Sequence, residues 1–437
     1  MKVISTEKLN NIRVQATIEI PESEFEASLD KAYRIVVKKV NIPGFRKGKA
    51  PRQILERMYG REILLEDALQ DAVPKAFDAA LEELKEQYIC VSQPEYEILE
   101  TEKGKPVLFK ASFDIKPEVK LGDYKGIELE KKVYTVKPED VDAEIEKMRQ
   151  RYAKLVLADG LAQNGDVLTI DFLGKVDGQA FPGGQGENYP LELGSGTFIP
   201  GFEEQLVGTI KDQTLDINVK FPEDYHNKDL AGQDAVFTVT VKEIKRKEYA
   251  PLDDEFAKDV SEFETLQELR TDIENNLKEA RKQRTEQELR EEAITKVADN
   301  AEVELPESMI EDRVMRMVED LAFRIEQQGI PFNYYLKVTN TDLATLQSNS
   351  RPAAERSVKA DLVLEAIAKA ENIQVEAADV DKELEKLAEM YKQDVAKIRE
   401  SFEKQGQISA LEYSIMIDKA VDLIIREANI TEKTLED

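Results

Sequence analysis

The 437-residue sequence has no tryptophan, one cysteine and one histidine, and these shortages remove much of the chemistry open to a chain of this size. Cys90 has no second thiol to pair with inside the chain, and with His226 as the sole imidazole it falls short of every usual zinc ligand set. Internal disulfides, structural metals and metal hydrolysis are therefore excluded, and no metal or cofactor is expected. Most histidine-dependent acid/base enzymes go too, because His226 would have to carry every proton alone. Long apolar runs are missing: no stretch reaches the ~18 consecutive apolar residues of a membrane span, and the opening MKVISTEKLNNIRVQATIEI lacks an apolar core or a small-residue cleavage site. The sequence reads as a soluble cytoplasmic protein without a membrane partner. Positive charge is also short, with 61 Lys and Arg against 89 Asp and Glu and a net charge of −28, which opposes wholesale binding to DNA or an anionic surface. Any polyanion contact has to be local.

What is present suggests several domains. At about 150 residues per domain the length corresponds to two to four. Charged residues make up 34% of the chain, so long solvated helices are expected. Residues 3–20 alternate around Asn10-Asn11, with Val14, Ala16, Ile18 and Ile20 on one face, and predict a β-hairpin. After Pro21, Phe25, Leu29, Tyr33 and Val36 or Val37 recur at three and four, giving an amphipathic helix that ends before Pro43-Gly44. Helices are expected again over 54–59 and 63–84, and strands over 96–99 and 107–115, so residues 1–118 form an α+β unit. A helix is predicted over 137–157. Short β runs then follow, VLTIDFLGKV, LDINVKF and AVFTVTVKEI, in a segment where more than half of the 20 glycines fall within residues 160–208. Beyond Pro251 nearly everything is helical: Thr265-x-x-Glu268 is a capping box, another helix starts at Pro306, Pro331 and Pro352 are expected to break the pattern, and helices fit 376–405 and 408–428. The segments Val136-KPEDVDAEIEK and Val375-EAADVDKELEK resemble one another, which we read as two helix starts with acidic first turns rather than a duplication.

Against the acidic average, residues 41–61 carry Arg46, Lys47, Lys49, Arg52, Arg57 and Arg61 with Glu56 alone opposing them. Gly44 and Gly48 free the backbone to present Phe45 at a tip, while Pro43 and Pro51 limit the ends. The residues by themselves fit either a docking hook for RNA phosphates or acidic protein, or a solvated basic loop with Phe45 folded into its own domain. The run GFRKGKAP after an amphipathic helix, in a chain of this length, resembles the ribosome-binding signature of bacterial trigger factor. The resemblance implies docking on the large ribosomal subunit beside the nascent-chain exit tunnel, through Gly44, Phe45, Arg46, Lys47, Gly48 and Lys49.

The glycine-rich segment holds Phe172, Phe181, Phe198, Phe202, Tyr225 and Phe237, which composition alone would assign to a β core. The run Gly194-Ser-Gly-Thr-Phe-Ile-Pro-Gly-Phe-Glu203, with VDGQAF before it and FPEDYH after it, resembles FKBP-type peptidyl-prolyl isomerases. By that resemblance a proline pocket is lined by Phe172, Phe181, Ile199, Phe202, Tyr225 and Phe237. Two positions depart from the family pattern: Phe202 stands where many members have Trp, and Pro182 where many have Asp, so the resemblance lends no support to tight macrolide binding. His226 is expected as polar rim, and Cys90 as a small buried hydrophobe.

Taken over the whole chain the resemblance implies a multidomain α+β protein. Its parts would be a ribosome-binding domain (1–118), a linker and helix joining the helical body (119–158), an inserted β-rich FKBP-like domain (159–247) and an all-α chaperone body (248–437). Most apolar positions of the helices must pack helix on helix. Around the Gly-Ile-Pro turn at 329–331, however, Met315, Met317, Phe323, Ile330, Phe332, Tyr334, Tyr335 and Leu336 are too many for a short turn to bury. Of these, Met317, Phe323, Ile330, Phe332 and Tyr335 are the candidate contacts for nascent and unfolded polypeptides. The implied function is a ribosome-associated chaperone with proline isomerase activity, self-associating as a homodimer off the ribosome. Two other readings stay open at this point: a free-standing isomerase with a dimerising helical domain, and a noncatalytic helical scaffold.

Overall fold

The computed structural model of the protein describes residues 1–223, 225 and 230–435, and for Pro182 the backbone alone. It separates into two compact units, residues 1–132 with 286–433, and residues 133–285 with Thr434 onward.

The first unit starts with β1 (Lys2–Lys8) and β2 (Arg13–Ile20), a hairpin closed by Leu9 N donating to Arg13 O at 2.9 Å. Helices α1 (Glu22–Lys39), α2 (Arg52–Tyr59) and α3 (Glu62–Leu84) follow, then β3 (Glu95–Glu100), β4 (Val107–Asp114) and β5 (Glu128–Tyr134). The antiparallel sheet has the order β1-β2-β4-β3. Alternation in β2 and β4 puts apolar partners opposite one another, Val14 with Phe113, Ile18 with Phe109 and Ile20 with Val107, all buried. Phe25, Leu29 and Val36 of α1 and Ala68, Ala72 and Phe77 of α3 close over that face. Cys90 is half-buried at the edge of this core rather than fully inside, its Sγ donating to Ser92 O at 3.2 Å.

The second unit contains α4 (Pro138–Arg151), β6 (Lys154–Leu157), β7 (Val167–Val176), β8 (Gln179–Glu192), α5 (Phe202–Leu206), β9 (Thr214–Lys220), β10 (Asp234–Glu248) and α6 (Asp254–Val260). It also holds the first part of α7 (Leu266–Asn300), whose start carries the expected capping box: Glu268 N donates to Thr265 Oγ1 at 3.2 Å and Thr265 N to Glu268 Oε2 at 3.1 Å. The helix expected over 137–157 ends at Arg151, because Lys154–Leu157 pairs instead with residues 245–248 of the long strand β10, whose backbone would otherwise be unpaired on that side. The sheet runs β6-β10-β7-β8, with β9 also on β10, and every pairing is antiparallel.

The rest of the first unit is helical: α8 (Glu307–Gln327), α9 (Phe332–Val338), α10 (Leu343–Ala370), α11 (Ala377–Tyr391), α12 (Val395–Lys404) and α13 (Ile408–Glu427), ending in β11 (Asn429–Leu435), which pairs with β5. Pro331 caps α9 as expected, but Pro352 lies inside α10. There it removes one helical hydrogen bond, and the buried packing of Ala354 against Ile310 and Val314 of α8 holds the helix together across it. The single helix expected over 376–405 is two, broken at Lys392 (φ +51°) and restarted by Asp394, whose carboxylate accepts from Ala396 N at 2.8 Å. The two similar segments both open helices: Asp140 Oδ2 accepts from Lys137 N, and Asp379 Oδ2 from Glu376 N, each at 2.8 Å. No helix among the described residues is long and apolar enough to cross a membrane.

Candidate functional site

The aromatic residues of the second unit converge on a cavity of about 420 Å³. Phe172 stands on β7 and Phe237 on β10, both rings resting where the neighbouring strand carries glycine. Phe172 is in register with Gly186, and Phe237 with Gly174. A Cβ at Gly186 would lie 2.6 Å from the Phe172 ring, one at Gly174 2.5 Å from the Phe237 ring, and one at Gly184 2.6 Å from the Phe181 ring. The glycines of this segment thus make space for rings to lie against backbone as well as turning the chain. Contacts between the rings are mostly edge to face: Phe172 to Phe198 at 5.5 Å, Phe181 to Phe237 at 6.0 Å and Phe181 to Phe221 at 5.8 Å.

Five of the six expected pocket residues, Phe172, Phe181, Ile199, Tyr225 and Phe237, line this cavity. Phe202 does not reach it. Fully buried at 0% exposure, it lies below as a support, 4.6 Å from Phe198 and 5.3 Å from Phe237 between ring centroids. Tyr189, Phe198, Phe221 and Pro222 also line it and were not among the expected residues. Phe198 adjoins Ile199 in the same short turn, and Tyr189 lies beyond a bulge in β8, at the same parity as Phe181 and Gly183. His226 lies outside the described residues. Among the described residues, the lining contains no carboxylate, lysine or arginine. The cavity can desolvate and grip an apolar group, and its described lining offers no strong acid or base to transfer a proton.

The basic loop in the first unit has pinned ends and an open tip. Ile42 and Ala50 are buried, Tyr33 Oη donates to Ala50 O at 2.6 Å, and Tyr59 Oη donates to Asn41 O at 3.2 Å. Between them Gly44 (φ +87°) and Gly48 (φ +81°) take left-handed conformations, and Gly48 N donates back to Val37 O at 3.1 Å. Phe45 is 39% exposed, and Arg46, Lys47 and Lys49 stand in solvent. The local positive excess is smaller than the count over 41–61 implies. Arg52 is held by Glu26 (2.8 Å), Asp30 (2.6 Å) and Glu56 (2.6 Å), and Arg61 sits 3.8 Å from Glu26. Two of those carboxylates come from α1, outside the counted window.

Around the α8–α9 turn the expected residues divide. Phe323 (64%) and Ile330 are exposed, whereas Met317 packs partly on the α8/α10 core and Phe332 and Tyr335 are half-buried, stacked on each other at 6.2 Å. Met315, Tyr334, Val338 and Leu343 are more exposed than those three. Met390 (73%) and Tyr391 at the end of α11 form a further exposed apolar pair that sequence reasoning missed, since they sit at the C-terminal end of an ordinary amphipathic pattern.

Comparison with known proteins agrees with this geometry. Residues 159–242 match the model of the FKBP-type peptidyl-prolyl cis-trans isomerases, residues 1–148 that of the bacterial trigger factor protein, and residues 265–426 that of the bacterial trigger factor C-terminus. The trigger factor of Pelotomaculum thermopropionicum is 46% identical over 98% of this chain and 98% of its own. That of Moorella thermoacetica is 47% identical over 97% of this chain and 94% of its own. With such identity over nearly its full length, and an FKBP-type domain between the two trigger factor regions, the chain belongs to the bacterial trigger factor family.

Proposed function

We propose that the protein is a cytoplasmic chaperone that docks on the large ribosomal subunit near the exit tunnel, receives nascent and unfolded chains, and isomerises their X-Pro bonds. The single observation that carries this reading is family membership across nearly the whole chain. The loop tip and the aromatic cavity support it, each exposing the residue types the function needs. Docking belongs to residues 1–118, catalysis to 159–247, and client holding chiefly to 248–437, with 119–158 joining them. Off the ribosome the protein forms a homodimer.

Isomerisation follows from the cavity without any proton transfer. Rotation about X-Pro is slow because amide resonance must be broken, at a barrier of roughly 18 to 20 kcal/mol. Water at the carbonyl supports the planar, charge-separated form, and a dry wall of Phe172, Phe181, Ile199 and Phe237 withdraws that support. Binding the twisted amide better than the planar one is then sufficient. Phe202 acts through the wall, fixing Phe198 and Phe237 from beneath.

Ribosome cosedimentation tests the docking. A Phe45→Ala, Arg46→Ala, Lys47→Ala variant keeps its fold, since all three side chains lie on an exposed tip, and loses binding by about tenfold or more; wild-type binding weakens as salt rises, through counterion release. A variant that sediments as wild type does refutes the docking assignment.

A further inference from the structure

Glu203 lies in the first turn of α5, is only 6% exposed, and is absent from the cavity wall. Its carboxylate is nevertheless surrounded by donors. Oε2 accepts from Gly194 N at 2.8 Å and Gly196 N at 3.1 Å, and Oε1 accepts from Phe198 N at 3.1 Å and the Ser195 hydroxyl at 3.3 Å. A charge removed from water persists only where such bonds replace its hydration, and N–H donors to an ionised carboxylate are the stronger class. Burial alone would push the group up, but the N–H groups of Phe198, Gly196 and Gly194 and the Ser195 hydroxyl together hold it below the usual carboxylate range.

All four donors belong to one segment, Gly194–Phe198, which has no helix or strand of its own. Its other bonds are the internal Ser195–Thr197 hydroxyl contact at 2.8 Å and Thr197 N to Ser195 Oγ at 3.3 Å, and Ser195 N to Glu192 O of β8 at 3.3 Å. The segment leads directly into Phe198, Ile199 and Pro200, which form one wall of the cavity. We propose that Glu203 is a positioning residue for the isomerase: it ties this segment into one conformation and so keeps Phe198 and Ile199 against the bound proline. The proposal rests on the isomerase reading of the cavity.

The role predicts a particular kinetic signature. Release of the segment takes the wall away from planar substrate and twisted transition state together, while molecules that keep it retain their preference for the twisted amide. It reduces the fraction of enzyme able to bind, which raises KM and leaves kcat unchanged. General destabilisation instead lowers the amount of active enzyme, which lowers apparent kcat at constant KM. In the full chain, Glu203→Gln turns an amide nitrogen toward backbone N–H groups, and Glu203→Asp withdraws the charge by one methylene.

The experiment resolves kcat and KM for a short X-Pro peptide in wild type and both variants, and follows hydrogen exchange of the peptide 193–201 by mass spectrometry. The expected result is a KM raised by about fivefold or more with kcat within about twofold. Exchange becomes faster in 193–201 and stays unchanged in β7 and β10. Unchanged KM in a folded variant, or kcat falling at constant KM, overturns the proposal. Should Glu203→Gln fail to fold, Glu203→Asp decides by the same criteria, and loss of fold in both makes Glu203 a stability residue and refutes the positioning role. An inactive wild type would overturn the isomerase reading instead, with the exchange comparison still judging the tether.

Discussion

In the second unit Phe172, Phe181, Phe198 and Phe237 meet at centroid separations between 5.5 and 6.3 Å, each ring held by a strand, a glycine opposite or the turn before α5. Around the α8–α9 turn of the first unit Met315 and Phe323 stand in solvent on α8, whose other face is already packed, and Tyr334 (61% exposed) and Val338 stand in solvent on α9, none of whose side chains is fully buried. The same residue types thus do opposite work. A sheet with glycine beneath its rings fixes a small dry volume that can discriminate a twisted amide from a planar one. An open helical surface with flexible methionine and aromatic groups is suited to contact many apolar segments with little discrimination, the client role proposed for it. The net charge of −28 opposes aggregation of such a surface with copies of itself.

The largest expected effect tests whether the two regions are separable. Tyr225→Ala and Phe172→Ala, each confirmed as folded by circular dichroism, lower kcat/KM on an X-Pro peptide by at least about tenfold, or ~1.4 kcal/mol of transition-state stabilisation. Suppression of aggregation of an unfolded client by the same variants changes by less than about twofold. A parallel fall in both activities breaks the comparison.

A smaller effect is expected at the glycine beneath Phe172. Gly186→Ala brings a methyl group against the ring and forces it toward the cavity, with an overpacking cost of roughly 1–3 kcal/mol. Both a lower melting temperature of the isomerase region and severalfold slower turnover should be measured. Wild-type values for both would mean that the ring has slack and that the glycines do not shape the cavity.

The smallest effect sharpens the other side. Phe323→Ser with Tyr334→Ser removes exposed apolar surface, at a stability change within about 0.5 kcal/mol per site because neither side chain is buried. Aggregation suppression weakens by about threefold, while peptide isomerisation stays unchanged. Undiminished suppression would shift client binding to other surfaces, with Met390 and Tyr391 the next to test.

Local periodicity explains why some features could be read early. Val14, Ala16, Ile18 and Ile20 announce a half-buried strand by alternation alone, and Thr265-x-x-Glu268 announces a helix start through bonds that span three residues. The loop Gly44–Lys49 was legible in part: its glycines and charges mark an open basic turn, whereas the exposure of Phe45 depended on the packing around it. Where a feature depended on a distant partner, the reading failed. Lys154–Leu157 is a strand because β10 has an open side, and Pro352 is helical because α8 packs across it.

The sequence by itself determined most of the order of elements and the acidic body with one basic tip, which follow from period, turn chemistry and composition acting over a few residues. Its resemblance to FKBP-type isomerases supplied part of the aromatic set near the cavity, without Tyr189 and Phe221. Tertiary structure decided which of those side chains are wall, support or surface. Phe202 lies beneath the cavity and Phe198 lines it; Arg52 is held by two carboxylates of α1; and Tyr334 faces water while Tyr335 stacks on Phe332. Exposure and pairing depend on which other segment arrives at a residue, and adjacent positions of like chemistry carry no local signal of that.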